Sequence, residues 1–411
     1  MIFLFYLFNV IGLIYFVLKK RQFDFFSLAY FSELVYFMPG FFGKTSYQLG
    51  RASIESQILD GTYIVMCIFI AILLFFTLLY DSKKHIVSKS DYKKSYIGEI
   101  LLIISLLMVY LLLNSDGILL LTLEKKDLMS EVSSSLLLME TTASLSFVVF
   151  FLEKKRVLLF LSLSVLILDL VIGFRFAFII SIVSILFIYL NSLGKFQLIV
   201  FWKFGISMII IVFILIISKE FMYGLKFGFS DYSLQQFQTV DFYLNALKKS
   251  EPFTIVSILN EVIKNNFKTD FEQLFAILKL IPFSETIFNI QIIGFNDKFQ
   301  HILFPYVSYG LANNIFAQIW SLGGYSGVFL FSIIYFYLLY LGNILMKNNF
   351  KPLITLIFSL QSFYIFRNDL LYQITLEKKY IISFLFAYFI NVFIKNILKG
   401  KYLNAKTNIP N

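Results

Sequence analysis

Apolar stretches of membrane-spanning length recur along almost the whole chain, separated by short turns rich in lysine and arginine. Crossing a bilayer takes about 20 mostly apolar residues, and helices satisfy their own backbone hydrogen bonds where no water reaches. The pattern therefore predicts an all-α, polytopic integral membrane protein. Composition favours this over a soluble domain with one anchor: 59% of the 411 residues are hydrophobic, against about 45–50% in soluble proteins. Ile2–Leu18 reads as a first span, since no basic residue precedes it and no small-residue cleavage site follows.

Basic turns set the sidedness, because cytoplasmic loops carry an excess of Lys and Arg. Lys19-Lys20-Arg21 places the end of the first span in the cytoplasm and the N-terminus outside. The second span, Phe25–Phe42, is weak, with Glu33 inside it and Pro39-Gly40 near its end. The polar stretch Gly43–Gly61 is then external. Further spans fall at Thr62–Tyr80, Ile97–Leu113, Ser134–Leu152, Val157–Ile172, Phe176–Leu190 and Phe204–Ile217. Basic turns at 81–96, 153–156 and 195–203 alternate with external ones. After a long polar interruption come Ile315–Met346, Pro352–Phe366 and Tyr380–Phe393, then a basic cytoplasmic tail. The count is about 11 spans (10–12), divided as 1–217 with eight helices, 218–314 as one large external loop, and 315–411 with three.

The loop from Ser218 to Asn314 carries eight lysines against nine carboxylates, so it lacks the cytoplasmic bias. Ile255, Leu259, Val262 and Ile263 share one helical face; Leu274, Phe275, Leu278 and Ile281 share another, up to Pro282. These faces predict short helices lying on the outer membrane surface.

The net charge of +10 needs no nucleic-acid partner: about half of the basic residues sit in cytoplasmic turns, and no basic groove interleaved with aromatics occurs. Cys67 is alone, so no disulfide framework forms, and two histidines cannot build a dense His/Cys metal cluster. There is no GxxxxGK[ST], GxGxxG or HExxH, so no nucleotide or metal cofactor is expected. No internal repeat supports an inverted-repeat transporter.

Ionisable groups inside a membrane are costly and become candidates for that reason. Glu140, Asp169 and Arg175 lie at similar depth near the outer face, Arg175 capping the short Gly173-Phe174-Arg175 hairpin. Arg51 lies in the first external loop, His301 late in the large loop, and Arg367 and Asp369 at the outer mouth between the last two spans. Each has a structural reading, as an ion pair, a helix cap or a snorkelling arginine. Jointly they suit a lipid diphosphate: arginines clamp phosphate bidentately, and His301 could act as a base.

The layout resembles the Wzy-type O-antigen and capsule repeat-unit polymerases. Four features carry the likeness: about eleven spans with one large external loop late in the chain; Gly173-Phe174-Arg175, similar to a Gly-x-Arg before a span; and Arg367-Asn368-Asp369, similar to a late Arg-x-Asp/Ser. The fourth is Ile281-Pro282, then Gly310-Leu311-Ala312-Asn313-Asn314 and Gly323-Gly324-Tyr325-Ser326-Gly327 entering the ninth span. The resemblance implies a GT-C-like, metal-independent glycosyltransferase of the bacterial inner membrane. Such an enzyme polymerises undecaprenyl-diphosphate-linked oligosaccharides into O-antigen (lipopolysaccharide) or capsule on the outer face. It implies a membrane-lipid environment, and a flippase and a chain-length regulator as partners. Arg175, Arg367, Asp369 and Arg51 would bind diphosphate and glycan; His301, Glu140 or Asp169 would act in catalysis. Many relatives carry Glu before the glycine pair; this chain has Gln318, leaving the base to His301, Glu140 or Asp169. An O-antigen ligase of similar plan and a lipid-linked oligosaccharide flippase are the alternatives.

Overall fold

The structure is a computed structural model. It describes residues 1–19, 21–49, 52–82, 92, 95–117, 134–194, 248–281, 283–307, 310–346 and 350–407, the side chains of 52, 116, 134 and 398–407 excepted. In chain order the elements begin with α1 (Ile2–Leu18), α2 (Phe25–Tyr36), α3 (Met38–Phe42), β1 (Lys44–Leu49), β2 (Ala52–Gln57) and α4 (Asp60–Ser82). Next come α5 (Ile97–Asp116), α6 (Ser134–Glu153), α7 (Arg156–Ile172) and α8 (Phe176–Ser192). Then follow α9 (Glu251–Lys264), a 3-10 helix (Phe271–Leu280), α10 (Ser284–Phe288), α11 (Phe295–Leu303), α12 (Ile315–Leu345), α13 (Lys351–Tyr364) and α14 (Leu370–Thr407).

Among the described residues, five helices are long and apolar enough to cross a membrane: Asp60–Ser82, Ile97–Ser115, Ser135–Glu153, Ile315–Leu345 and Leu370–Ile397. α1 and α8 are apolar but shorter. The protein is a helical, membrane-embedded chain.

Most expected spans coincide with helices to within a few residues, and the departures have local causes. The second span breaks at Phe37 (φ −95°, ψ 10°), just before Pro39. The ninth is interrupted at Gly324 (φ 59°, ψ −149°), a backbone conformation open only to glycine. The last helix begins at Leu370, ten residues before the expected Tyr380, because Asp369 accepts the backbone N–H of Tyr372 at 2.8 Å and starts it. The eighth expected span, Phe204–Ile217, lies outside the described residues.

Gly43–Gly61, expected only as a polar loop, holds a hairpin: β1 and β2 are antiparallel, with Lys44 opposite Gln57 and Leu49 opposite Ala52. The expected surface helices of the large loop behave differently from each other. Ile255, Leu259 and Val262 are fully buried, because α9 packs against β1, α2, α3, α4 and α12. In the 3-10 helix, Leu274 and Phe275 remain exposed while Gln273 and Ala276 are buried. A 3-10 helix has three residues per turn, so the face drawn for 3.6 residues is not the one that packs.

The chain forms two compact units. The first comprises Met1–Val87, Phe187–Leu345 and Phe358–Thr375. Its core is aromatic. The Phe69 ring on α4 lies 4.9–6.0 Å from the rings of Phe37, Phe316, Tyr335, Phe336 and Phe366. Gly12 lets α1 approach α2 until a Cβ there would collide with the Tyr30 ring, whose hydroxyl donates to the Asn9 carbonyl at 2.8 Å. Such close approach matters because lipid is as apolar as leucine, leaving packing to hold the helices together.

The ends of α1, α2 and α4 are joined by Arg21, which is 5% exposed. It pairs with Asp24 at 2.8 Å and Asp81 at 3.1 Å, donates to the Ser27 hydroxyl at 2.6 Å, and lies over the Phe16 ring. Part of the basic run at 19–21 is thus a buried tie.

The second unit comprises Ser88–Leu186, Met346–Ile357 and Leu376–Asn411. α6 packs between α5 and α7 through Leu112, Met139, Ala143, Phe147, Val165 and Leu166. Hydroxyls pair where the helices touch: Ser146 and Ser162 lie 2.9 Å apart, and Ser144 donates to the Ala177 carbonyl at 3.3 Å. At one end Glu153 accepts the Ser95 N–H at 2.8 Å and pairs with Lys155, which also pairs with Glu99.

Phe69→Ala should destabilise the folded chain by about 3 kcal/mol, near the low end for a buried ring because lipid replaces water as the reference. Arg21→Ala strands two carboxylates and should cost about 3–5 kcal/mol. Unfolding of the purified protein in detergent measures both; Arg21→Lys is expected to fall between Arg21→Ala and wild type.

Candidate functional site

The segment between α13 and α14 lies at the centre of a polar neighbourhood in the first unit. Arg367 N–H donates to the Tyr364 carbonyl at 3.0 Å, closing a turn that ends α13. Asp369 then serves two helices. One carboxylate oxygen accepts Tyr372 N–H at the start of α14; the other accepts Phe295 N–H at 2.9 Å, at the start of α11. Helix N-termini carry unbonded N–H groups and favour an anion. Burial pushes the Asp369 carboxyl above the usual carboxylate range, against the lowering effect of these backbone N–H bonds.

Gln318 holds the same frame. It is 1% exposed, accepts Leu370 N–H at 2.9 Å and donates to the Gln273 carboxamide at 3.1 Å. Gln273 in turn donates to the Ile293 carbonyl at 3.2 Å. The start of α14, the 3-10 helix and the approach to α11 are thus tied to α12. At the head of α12, Asn314 accepts the N–H groups of Phe316 and Ala317, and donates to Ile255 O of α9 at 2.8 Å.

On this frame Arg367 pairs with Glu251, the first residue of α9. Its guanidinium lies over the Tyr364 ring, 5.4 Å from the centroid, and Nη1 donates to the Tyr364 hydroxyl at 3.4 Å. Tyr36 and Tyr372 stand within electrostatic reach, Tyr36 stacking on Phe366 at 5.3 Å. Partial burial opposes the arginine's charge, but Glu251 and the surrounding tyrosines outweigh it and raise its pKa above the ordinary value. The Arg367 and Glu251 side chains are 34% and 36% exposed, so the pair opens to one side.

α9 is positioned by the hairpin. Asn260 accepts Leu59 N–H and the Thr62 hydroxyl, each at 2.9 Å, and donates to the Gln57 carbonyl at 3.1 Å. Thr45 donates to the Phe253 carbonyl and Ser46 to the Lys248 carbonyl, both at 2.6 Å, while Lys248 pairs with Glu55 at 2.9 Å.

The sequence-derived candidates fall in different places. Arg367, Asp369 and His301 belong to the first unit, where Asp369 is buried in the frame. His301 is exposed in the last turn of α11. It lies about 9 Å along that helix from the end anchored by Asp369. Glu140, Asp169 and Arg175 belong to the second unit. Asp169 and Glu140 are buried, and Glu140 stands within electrostatic reach of Lys379 on α14. Arg175 is half-buried after Gly173, whose positive φ of 118° ends α7, the N–H groups of Gly173 and Phe174 returning to Asp169 and Leu170 carbonyls. Arg51 lies outside the described residues.

Glu251, Tyr36, Tyr364 and Tyr372 were not among the sequence candidates. One signal was present: Ser250-Glu251-Pro252 is a helix start, with proline in the first turn and an acid where the dipole favours it. It places Glu251 at a helix N-terminus but says nothing of a partner 116 positions on.

No protein-family model, curated protein or solved structure matches the chain.

Asp369→Ala should cost about 2 kcal/mol, the loss of one cap and one buried acceptor. The folded pKa lies above the unfolded one, so this carboxyl's contribution is fullest below the unfolded carboxylate range and declines as pH rises through the raised value. Wild type should therefore gain stability relative to Asp369→Asn on acidification through that window. Comparing detergent unfolding midpoints of the two proteins between pH 7 and pH 4 checks the sign.

Proposed function

We propose that the chain is a lipid-carrier glycosyltransferase that polymerises undecaprenyl-diphosphate-linked oligosaccharide units into O-antigen or capsular polysaccharide. One observation carries most of the weight. Three segments that the basic-turn pattern assigns to the outer face, namely 43–61, the large loop and 367–369, are bonded to one another. The bonds run through Thr45, Ser46, Asn260 and the Glu251–Arg367 pair. An arginine with an open side, ringed by tyrosines, thus stands where the large loop meets the outer ends of membrane helices.

The opposite ends support the same sidedness. Turns assigned to the cytoplasm are bonded in two places, Arg21 with Asp81 and Ser95 with Glu153. Asn191, at the inner end of the seventh span, donates to the Phe23 carbonyl at 2.7 Å. The reading accordingly has about eleven spans in a bacterial inner membrane, with the N-terminus outside and the C-terminus in the cytoplasm.

In this reading a hydroxyl of the incoming unit attacks the anomeric carbon of the growing chain, and the lipid diphosphate leaves. Charge grows on the leaving oxygens, and Arg367 stabilises it without a metal. The tyrosine rings suit sugar faces, which present C–H groups to aromatic surfaces. The sequence suggests His301 as the base. The large loop holds the glycan and excludes water as a competing acceptor.

Arg367→Ala is expected to lower the transfer rate by on the order of a hundredfold or more, the loss typical of one charge-stabilising donor. Gel profiles of cellular polysaccharide should then show single-repeat material in place of long chains. Wild-type chain length in Arg367→Ala would remove the basis for this site.

A further inference from the structure

The frame around Arg367 contains two kinds of polar group. Asp369 and Gln318 are at most 2% exposed, and both are bound to backbone N–H groups at helix starts. Withdrawing either would unsatisfy buried donors, so both are fixed. Glu251 and Arg367 are each about one third exposed and neutralise each other. Separating an ion pair open to solvent costs little, because such pairs are worth about 0.2–1 kcal/mol. The neighbourhood therefore has a rigid surround and one exchangeable contact at its open side.

An anion that reaches this side meets an arginine already occupied by a carboxylate. A diphosphate carries more charge and accepts two parallel N–H bonds, so it competes well for a guanidinium. Exchange leaves the Glu251 carboxylate beside the bound diphosphate, anchored at the first turn of α9. That helix is itself held by Asn260 and the hairpin, so the carboxylate can move by side-chain rotation only.

We propose that Glu251 is the counter-ion that a lipid diphosphate displaces from Arg367, and that the released carboxylate then takes the proton of the attacking sugar hydroxyl. This rests on the polymerase reading above, and assigns to Glu251 the base role that the sequence suggests for His301. The hydroxyl oxygen bonds to the anomeric carbon as the bond from that carbon to the diphosphate oxygen breaks. The electron pair leaves with the lipid diphosphate, and the hydroxyl proton passes to a Glu251 oxygen. Arrival of the substrate thus frees its own base, and without substrate the Glu251 carboxylate stays paired with Arg367 instead of activating water.

The test uses the full chain in lipid nanodiscs titrated with undecaprenyl diphosphate, together with polysaccharide profiles of cells carrying the same variants. Glu251→Gln removes the competitor and should tighten diphosphate binding roughly two- to fivefold, the equivalent of an exposed ion pair. The same variant should yield single-repeat material. Unchanged or weaker binding in Glu251→Gln overturns the displacement. Tighter binding with wild-type polymer overturns the proton transfer, since a counter-ion alone would move binding and leave elongation intact. If Glu251→Gln does not fold, Glu251→Asp carries the test: its shorter carboxylate reaches Arg367 less well, so that variant should bind diphosphate more tightly and form shorter chains, and wild-type values on both counts overturn the proposal. Arg367→Ala binding diphosphate as wild type does overturns the polymerase reading of the site, not the part given to Glu251.

Discussion

The Asn260 carboxamide joins the middle of α9 to the end of β2 and the start of α4, about 200 residues earlier in sequence. It is 1% exposed, so each of its bonds replaces one that water cannot supply. Much of the first unit's polar architecture follows from that tie. α9 is seated among α2, α4 and α12 because its apolar side chains are buried there, but its register along them is set by Asn260 and by the hydroxyls of Thr45 and Ser46. Register matters because Glu251 sits at the first position of α9. Sliding the helix by one turn, about 5 Å, would remove it from Arg367.

The membrane helices were legible because their signal is long, and each residue adds to it. Sequence placed α4, α5, α6 and α12 to within a few residues. The hairpin was less visible. Its strands are six residues each and carry no strong alternation. The start of α14 was misplaced because Glu377, Lys378 and Lys379 look like a loop in a hydropathy reading. What starts the helix is a single cap, Asp369, and a cap adds nothing to an apolar window.

The candidate site was legible by residue type and illegible by pairing. Arg367 drew notice as a charge at a span end, and so did Asp369, yet the two have different surroundings. Asp369 faces two helix N-termini and is buried; Arg367 faces a carboxylate and tyrosine rings and is partly open. Nothing in Arg-Asn-Asp distinguishes these, because the difference lies in what Phe295 and Glu251 bring from elsewhere in the chain. Gln318 illustrates the same limit. Read alone it is a missing acid; in place its carboxamide both accepts from Leu370 and donates to Gln273, which a carboxylate could not do.

That last point bears on how acid and amide are distributed over the neighbourhood. A buried position that must accept one N–H and donate another calls for an amide, and Gln318 supplies it without adding charge to the interior. A position that must accept from two helix starts calls for a carboxylate, which Asp369 supplies, stabilised by the helix dipoles although burial disfavours its charge. Once these two are committed to structure, a carboxylate that can change partners has to come from a solvent-facing position with a cation beside it. Glu251 is such a position: α9 holds its backbone, Arg367 neutralises its charge, and the open side lets either partner turn to a third group.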